Sequence, residues 1–287
     1  MAIEKLTSSV VQKFIPARYS KSRKGDNGIA LVVGGSYIYH GAPILSSIAA
    51  LKCGTDLVYT CVPKINVSST RSVSPNLIVI PLVDQKLTLG AVNKLIGAFP
   101  RNLHSATIGM GLAIQERNSL LRLINSLLDR DVRLSLDASA LIPEVLPLLK
   151  NKNVVVTPHA GEFKRLFGDV PPEPESERID LVKKRAKEFG ITVLLKGETD
   201  IISDGSLTYL NKKNTPCMTV GGTGDVLSGL VVGLLSRNRN PLESASAAAF
   251  VNGLAGAESQ KKLGLHMTSM DLLDEIPYVM MPFDKIL

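Results

Sequence analysis

Short β-branched runs, each closed by glycine, proline or aspartate, recur along this chain between segments whose apolar residues fall at helical spacing. That alternation constrains the fold more than any other feature. Residues 29–33 are such a run, ending in Gly34-Gly35-Ser36, and 42–51 reads as a helix of small residues. Residues 56–62 form a second strand stopped by Pro63, 77–80 a short strand, 89–99 a helix, and 106–108 a strand running into Gly109-Met110-Gly111. Then come a helix over 118–128, a strand over 132–136 closed by Asp137, and a buried-type strand over 154–156 ended by Pro158. Residues 181–189 are helical, 193–195 a strand and 201–210 a hairpin turning at Asp204-Gly205, and two or three helices follow. Ahead of all this, 6–15 reads as an amphipathic helix capped by Thr7 or Ser8, and 18–28 as a polar loop. Residues 169–178 carry three prolines and several acids and read as an exposed connection. The expectation is an α/β fold, a mainly parallel sheet with helices on both faces and the hairpin as an antiparallel addition. With 287 residues and 45% hydrophobic content, one large domain over 1–287 is expected.

A formal net charge of +7 favours anionic partners. The positive charge is scattered apart from Arg18, Lys21, Arg23 and Lys24, and the chain has no Trp and 5% aromatic residues, so no base-stacking platform for nucleic acid stands out. An anionic small molecule is the more economical partner. Cys53, Cys61 and Cys217 lack metal-ligand or disulfide spacing and read as buried free thiols. No charged-then-apolar leader opens the sequence and its apolar runs are short and broken by glycine, so a cytoplasmic, soluble protein without a membrane partner is expected.

In a parallel sheet, ligands sit at the carboxyl ends of the strands. Six strings fall there: Gly34-Gly35-Ser36, Gly109-Met110-Gly111, Asp137, Thr157 to Glu162, Lys196 to Thr199, and Gly221 to Gly229. The most distinctive is Gly221-Gly222-Thr223-Gly224-Asp225-Val226-Leu227-Ser228-Gly229, glycines running into a helix start. Unpaired N–H groups and the positive end of the helix dipole suit a phosphate, and Asp225 beside it could take a proton from a hydroxyl attacking phosphorus. An ordinary capped turn accounts for the same string. Thr157-Pro158-His159-Ala160-Gly161-Glu162 sets His159 and Glu162 three apart at a strand-to-helix junction, so Glu162 either caps the helix or holds Mg²⁺ while His159 touches substrate. Lys196-Gly197 either reaches phosphate or is a solvated turn, and Asp137 is either a cap or a polar contact. His40 before Gly41-Ala42-Pro43 reads as an exposed loop histidine. Gly34-Gly35-Ser36 is not the dinucleotide fingerprint and no Walker-type Gly-Lys-Ser/Thr occurs.

Taken in order, these strings resemble the ribokinase-like superfamily and, within it, the ADP- or ATP-dependent NAD(P)H-hydrate dehydratases. The similarity runs from Lys24-Gly25-Asp26-Asn27-Gly28 to the helix after Asp225. Its most specific pieces are Gly34-Gly35-Ser36 with Gly41-Ala42-Pro43, the Thr157 to Glu162 string, and the Gly221 to Gly229 string. The resemblance implies a ribokinase-like three-layer sandwich and a repair reaction. The hydroxyl of the hydrated ring in NADHX or NADPHX is phosphorylated, and loss of phosphate restores the ring double bond, with ADP as the expected co-substrate and AMP and phosphate as products. It further implies Asp225 as general base, Gly222, Thr223 and Gly224 as the anion hole, and Lys196, Gly197, Glu198, Thr199 and Asp200, with Gly224, as the nucleotide segment. Ala42, Gly109, Gly111 and His159 would line the hydrate pocket with Asp225, and Glu162 would be the acid near Mg²⁺. Tetramer assembly is implied by the same analogy.

Three strings depart from the family pattern. Gly109-Met110-Gly111-Leu112-Ala113 lacks the usual proline and final glycine, Ser139 replaces an acid in Asp137-Ala138-Ser139-Ala140-Leu141, and Thr215-Pro216-Cys217-Met218 lacks the usual asparagine and glycine. The epimerase domain that often accompanies the family would need about 200 more residues, so a stand-alone dehydratase domain is expected. Two other readings remain beside it, a ribokinase-like kinase for a vitamin-precursor alcohol and a nucleotide-binding module without catalysis.

Overall fold

The computed structural model describes residues 3–212 and 215–287. Ten strands form one sheet: β1 (Ile3–Lys5), β2 (Ile29–Val33), β3 (Leu57–Pro63), β4 (Ile78–Leu82), β5 (Ser105–Ile108), β6 (Arg133–Leu136), β7 (Val154–Val156), β8 (Thr192–Leu195), β9 (Thr199–Ser203) and β10 (Thr208–Lys212). Their order is β1-β10-β9-β8-β7-β6-β5-β2-β3-β4. Only β9 runs antiparallel to its neighbours among the described residues, and every other pairing is parallel. The carboxyl ends of β2, β5, β6, β7, β8 and β10 therefore share one edge.

Period-two alternation decides which face each strand residue serves. Val154, Val156, Val193 and Leu195 join the core under the helices Leu89–Gly97, Arg117–Leu128, Ala160–Phe167 and Glu175–Phe189, while Val155 and Leu194 point into the opposite core. That second core lies under Gly41–Lys52, Thr223–Arg237, Pro241–Leu263 and Ser269–Met280. A smaller cluster of Ala30, Val32, Ala50, Val58, Met110 and Val232 locks the helices Gly41–Lys52 and Thr223–Arg237 onto the centre of the sheet.

Thr223–Arg237 is the central helix, with every residue from Val226 to Ser236 buried. Its approach to Gly41–Lys52 depends on Gly229, where a Cβ would stand 2.1 Å from the Ser46 carbonyl oxygen. Such contact is open only to a residue without a side chain.

Two segments carried no readable period. The edge strand β1 is three exposed residues, and the helix Val67–Val73 is rich in Ser and Thr, with Thr70 Oγ1 donating to the Asn66 carbonyl at 2.7 Å. One expectation needs correction. Only 169–174 of the acidic, proline-bearing stretch is irregular, because the helix already begins at Glu175. Pro174 precedes that first turn, and Glu175 and Glu177 lie in it, where a carboxylate meets the positive end of the dipole. The acids read as loop composition are a helix start. The first helix matches its expected cap, spanning Ser8–Phe14 with Thr7 Oγ1 accepting from Val10 N–H at 3.3 Å. All three cysteines are buried and free, and burial pushes their thiols up. No helix among the described residues is long and apolar enough to cross a membrane.

Candidate active site

The chain leaves β10 at the shared edge, passes the 3₁₀ turn Pro216–Thr219 and enters Thr223–Arg237 through Gly222. Gly222 has φ +95°, and a Cβ there would lie 2.6 Å from Ser269 Oγ and 2.8 Å from Leu45 Cδ1. Thr223 Oγ1 donates to the carbonyls of Met218 (2.9 Å) and Val220 (3.2 Å), pinning the turn. The first bond of the helical ladder runs from Val226 N–H to the Gly222 carbonyl, 3.0 Å. The amides of Thr223, Gly224 and Asp225 thus lie ahead of the ladder, where backbone donors look for an outside acceptor.

Gly222 is the N-cap, so Asp225 stands three residues inside the helix and is no cap. Its backbone is fixed by Ser46 Oγ, which donates to its carbonyl at 2.7 Å. Its carboxyl is pushed up to about 6, first by burial and then by the charge of Asp137, with Lys196 opposing and Glu162 adding to the rise.

Asp137, just past β6, is wholly enclosed, yet ionised. Burial alone would raise its carboxyl, but the Lys196 ammonium and the Ser228 hydroxyl hold it below the ordinary carboxylate range. Lys196 Nζ donates to Oδ1 at 2.9 Å and Ser228 Oγ to Oδ2 at 2.6 Å. Lys196 also stands 3.5 Å from Glu162 Oε2. Burial would lower its ammonium, and the two carboxylates hold it above the usual lysine range instead. A buried cation with two anions is charge-satisfied, and it ties β6, β8 and two helix starts together.

The helix Ala160–Phe167 starts differently. His159 Nδ1 accepts from the N–H groups of Gly161 (3.0 Å) and Glu162 (3.3 Å), while Glu162 Oε2 accepts from His159 N–H at 2.9 Å. This is a capping box with histidine as the cap. Capping, one of the two readings of Glu162, is thus realised, and the His159 ring is committed to the same turn.

Adjacent residues at the start of Thr223–Arg237 border two clefts, Asp225 one and Gly224 the other. One, of about 640 Å³, is bordered by Tyr39, Ala42, Gly109, Gly111, Ser139 and Asp225. The other, of about 230 Å³, is bordered by Lys196, Gly197, Met218, Thr223, Gly224 and Asn252. The structure brings together Ala42, Gly109, Gly111 and Asp225 on one side and Lys196, Gly197, Thr223 and Gly224 on the other. It does not bring in every expected residue. Glu198 is exposed, and Thr199 borders a separate groove with Lys5 and Asn211. Asp200 is fully buried, accepting from Gly197 N–H at 3.2 Å and Asn211 Nδ2 at 3.1 Å, so it shapes the turn from beneath. Among the described residues, no three His, Cys, Asp or Glu side chains converge on a point suited to a metal.

The NAD(P)H-hydrate dehydratase family model matches residues 30–278, most of the chain and every residue named at the two clefts. The chain belongs to that family. A protein of Nitrosopumilus maritimus named ADP-dependent (S)-NAD(P)H-hydrate dehydratase is 80% identical over 287 residues, 100% of each chain. Among solved structures, an ADP/ATP-dependent NAD(P)H-hydrate dehydratase from Bacillus subtilis, crystallised with ATP and Mg²⁺, superposes with TM-score 0.86 at 24% identity, covering 99% of this chain and 100% of that one. A ribokinase-like protein from Enterococcus faecalis gives TM-score 0.80 at 22% identity over 98% and 96%. At those identities the likeness carries the fold, which is the ribokinase-like sandwich expected from the strings.

This family member holds two groups that the motifs did not single out. Ser228 lies in the Gly221 to Gly229 string, one helical turn past Asp225, but its bond to Asp137 joins residues far apart in sequence. Asn252 is the one amide between Ala245 and Ala257 of an alanine-rich helix, and that isolation is visible in the sequence.

Proposed function

We propose that this chain, as one ribokinase-like domain, is an ADP-dependent (S)-NAD(P)H-hydrate dehydratase, with the larger cleft taking the hydrated nicotinamide of NADHX or NADPHX and the smaller one taking ADP. The observation that carries this reading is that Gly224 and Asp225, adjacent on one helix start, border the two clefts, Asp225 the larger and Gly224 the smaller. A phosphoryl group beside those two residues would lie against helix-start amides, with a half-buried carboxylate on its other side.

Asp225 takes the proton of the ring hydroxyl as its oxygen attacks the terminal phosphorus of ADP; the bond from that phosphorus to the AMP oxygen breaks and AMP departs. Its raised carboxyl, at about 6, is a better base than an ordinary aspartate and is still ionised at neutral pH. The amides of Gly222, Thr223 and Gly224 receive negative charge on the transferring group, and Lys196 adds a fixed cation. Phosphate is a far better leaving group than hydroxide, so the ring nitrogen's lone pair expels it, and loss of a proton from the adjacent carbon restores the double bond. Ala42, Gly109 and Gly111 leave room for a planar ring, and His159 holds the neighbouring turn.

Glu162 fits a role toward Mg²⁺ of a limited kind. It is a single hard carboxylate beside Lys196, suited to a Mg²⁺ held chiefly by nucleotide phosphates and water. When bound, the ion would neutralise phosphate charge. In the same reading the protein is cytoplasmic and assembles as a homotetramer by analogy with the family.

The test is to supply NADH hydrate with ADP and Mg²⁺ and follow the return of reduced-nicotinamide absorbance, with AMP and phosphate measured in parallel. One AMP and one phosphate per NADH is the expected result. A stable phosphorylated alcohol would mark a kinase, and no absorbance with either ADP or ATP would refute the proposal.

A further inference from the structure

Asn252 lies on the helix Pro241–Leu263 with 2% of its surface exposed, in a run of alanines that pack the second core. Asn252 borders the smaller cleft, in company with Lys196, Gly224, Met218 and Leu227. Among the described residues, no donor reaches its Oδ1, although the atom is shielded from solvent. An orphaned buried carbonyl costs stability and asks for an explanation outside the folded chain itself.

The other polar groups of this cleft are grouped by chemistry. Lys196 and the helix-start amides at Thr223 and Gly224 suit phosphate, whereas Met218 and Leu227 are apolar and suit the flat face of a base. Asn252 adds the one primary amide of the lining, a group offering a donor and an acceptor side by side. Its terminal torsion is soft, so either edge can turn to the cleft. An amide of this kind matches the edge of adenine, where an exocyclic amine sits beside a ring nitrogen. Guanine and hypoxanthine present two acceptors on that edge, O6 beside N7, and one amide, whichever way it turns, can donate to only one of them.

We infer that Asn252 reads the base of the nucleotide, accepting from the adenine amine and donating to the adjacent ring nitrogen, and so sets the preference for adenine over 6-oxopurine nucleotides. This rests on the smaller cleft being the nucleotide site, as proposed above. It is a specificity role and leaves the chemistry at Asp225 untouched.

The experiment compares ADP with IDP, which differ only at the 6-position, in wild type and Asn252→Leu. Binding of each nucleotide by titration calorimetry is measured alongside steady-state turnover of NADH hydrate. The wild type should bind ADP at least about tenfold tighter than IDP, since a site built to pair with a polar group rejects an analogue that leaves it unpaired. Asn252→Leu should bring the two within about twofold, chiefly by weakening ADP, with kcat on saturating ADP largely kept. Because the carbonyl has no partner, the leucine variant should melt no lower than wild type. If the leucine does not fit, Asn252→Ala serves the same comparison. An unchanged ADP-to-IDP ratio in a folded variant overturns the inference. Failure of the wild type to bind any adenine nucleotide would instead overturn the assignment of the cleft.

Discussion

Two helices begin at the same sheet edge, flanking Lys196, and they treat their free backbone donors in opposite ways. At Ala160–Phe167 the cap is internal, since His159 Nδ1 and Glu162 Oε2 answer one another's backbone groups. At Thr223–Arg237 the cap is Gly222, which has no side chain to offer, and three amides precede the ladder. A turn that satisfies itself needs no ligand, whereas one that leaves donors open while its backbone is pinned by Thr223 and Ser46 is prepared for one. Glycine-rich turns are common, and the rigid, unsatisfied version is what separates this one.

The largest effect should come from the acid inside the open turn. Asp225→Asn keeps shape and hydrogen bonding but cannot take a proton, so turnover should fall by about 10³-fold while ADP affinity changes less than about twofold. Folding should respond in the other direction. The Asp225 carboxyl is raised from 3.8 to about 6, so at pH 7 the folded state holds a charge it disfavours, by on the order of 3 kcal/mol. Asn should therefore stabilise the fold at pH 7, and that gain should fade as pH falls from 6 to 4, because the wild-type carboxyl then becomes neutral in the folded protein first. Urea unfolding at pH 7 and pH 4 measures it. The wild-type kcat/KM should itself drop tenfold per pH unit below about 6, as the base is lost. Wild-type turnover in Asp225→Asn would reduce Asp225 to a structural residue.

A smaller effect is expected when the open turn is closed. Gly222 sits at φ +95° with Ser269 and Leu45 against the missing Cβ, so Gly222→Ala strains the backbone and pushes on both neighbours. A loss of about 1–3 kcal/mol in stability is expected, with kcat lowered about 100-fold as the amides move out of line. The same substitution at Gly221, exposed and with open space around it, should do little to either. Equal losses at both positions would mean that the turn is merely fragile.

The fold was legible because its strands are short, β-branched and punctuated. β2 and β7 run over the expected residues, since nothing competes with burial on both faces there. The edge strand β1 and the helix Val67–Val73 were not legible, being held by pairing and by Asn66 rather than by any apolar period. At the site, Asp225 and the glycines could be read because glycine strings and acids stand out locally. Asp137, Lys196 and Ser228 appear in three separate strings, and their ion pair and hydrogen bond exist only once β6, β8 and the central helix are side by side. Sequence could offer each as a candidate but not the charge balance among them.

The least dramatic test concerns the self-satisfied turn, and it separates two roles that one residue can hold at once. Glu162 accepts from His159 N–H as a cap and stands near Lys196. Glutamine retains the accepting oxygen, so Glu162→Gln should change stability by less than about 0.5 kcal/mol, whereas Glu162→Ala should cost about 1 kcal/mol through the lost cap. A hard divalent cation prefers a carboxylate to an amide, so the half-saturating Mg²⁺ concentration at fixed ADP should rise about tenfold in Glu162→Gln. Mg²⁺ titration of turnover, with thermal melts of both variants, reads the two roles independently. If the Mg²⁺ requirement stays put while the alanine variant melts lower, Glu162 is a cap alone, and the difference between the two helix starts becomes complete: one closed on itself, one reserved for ligand.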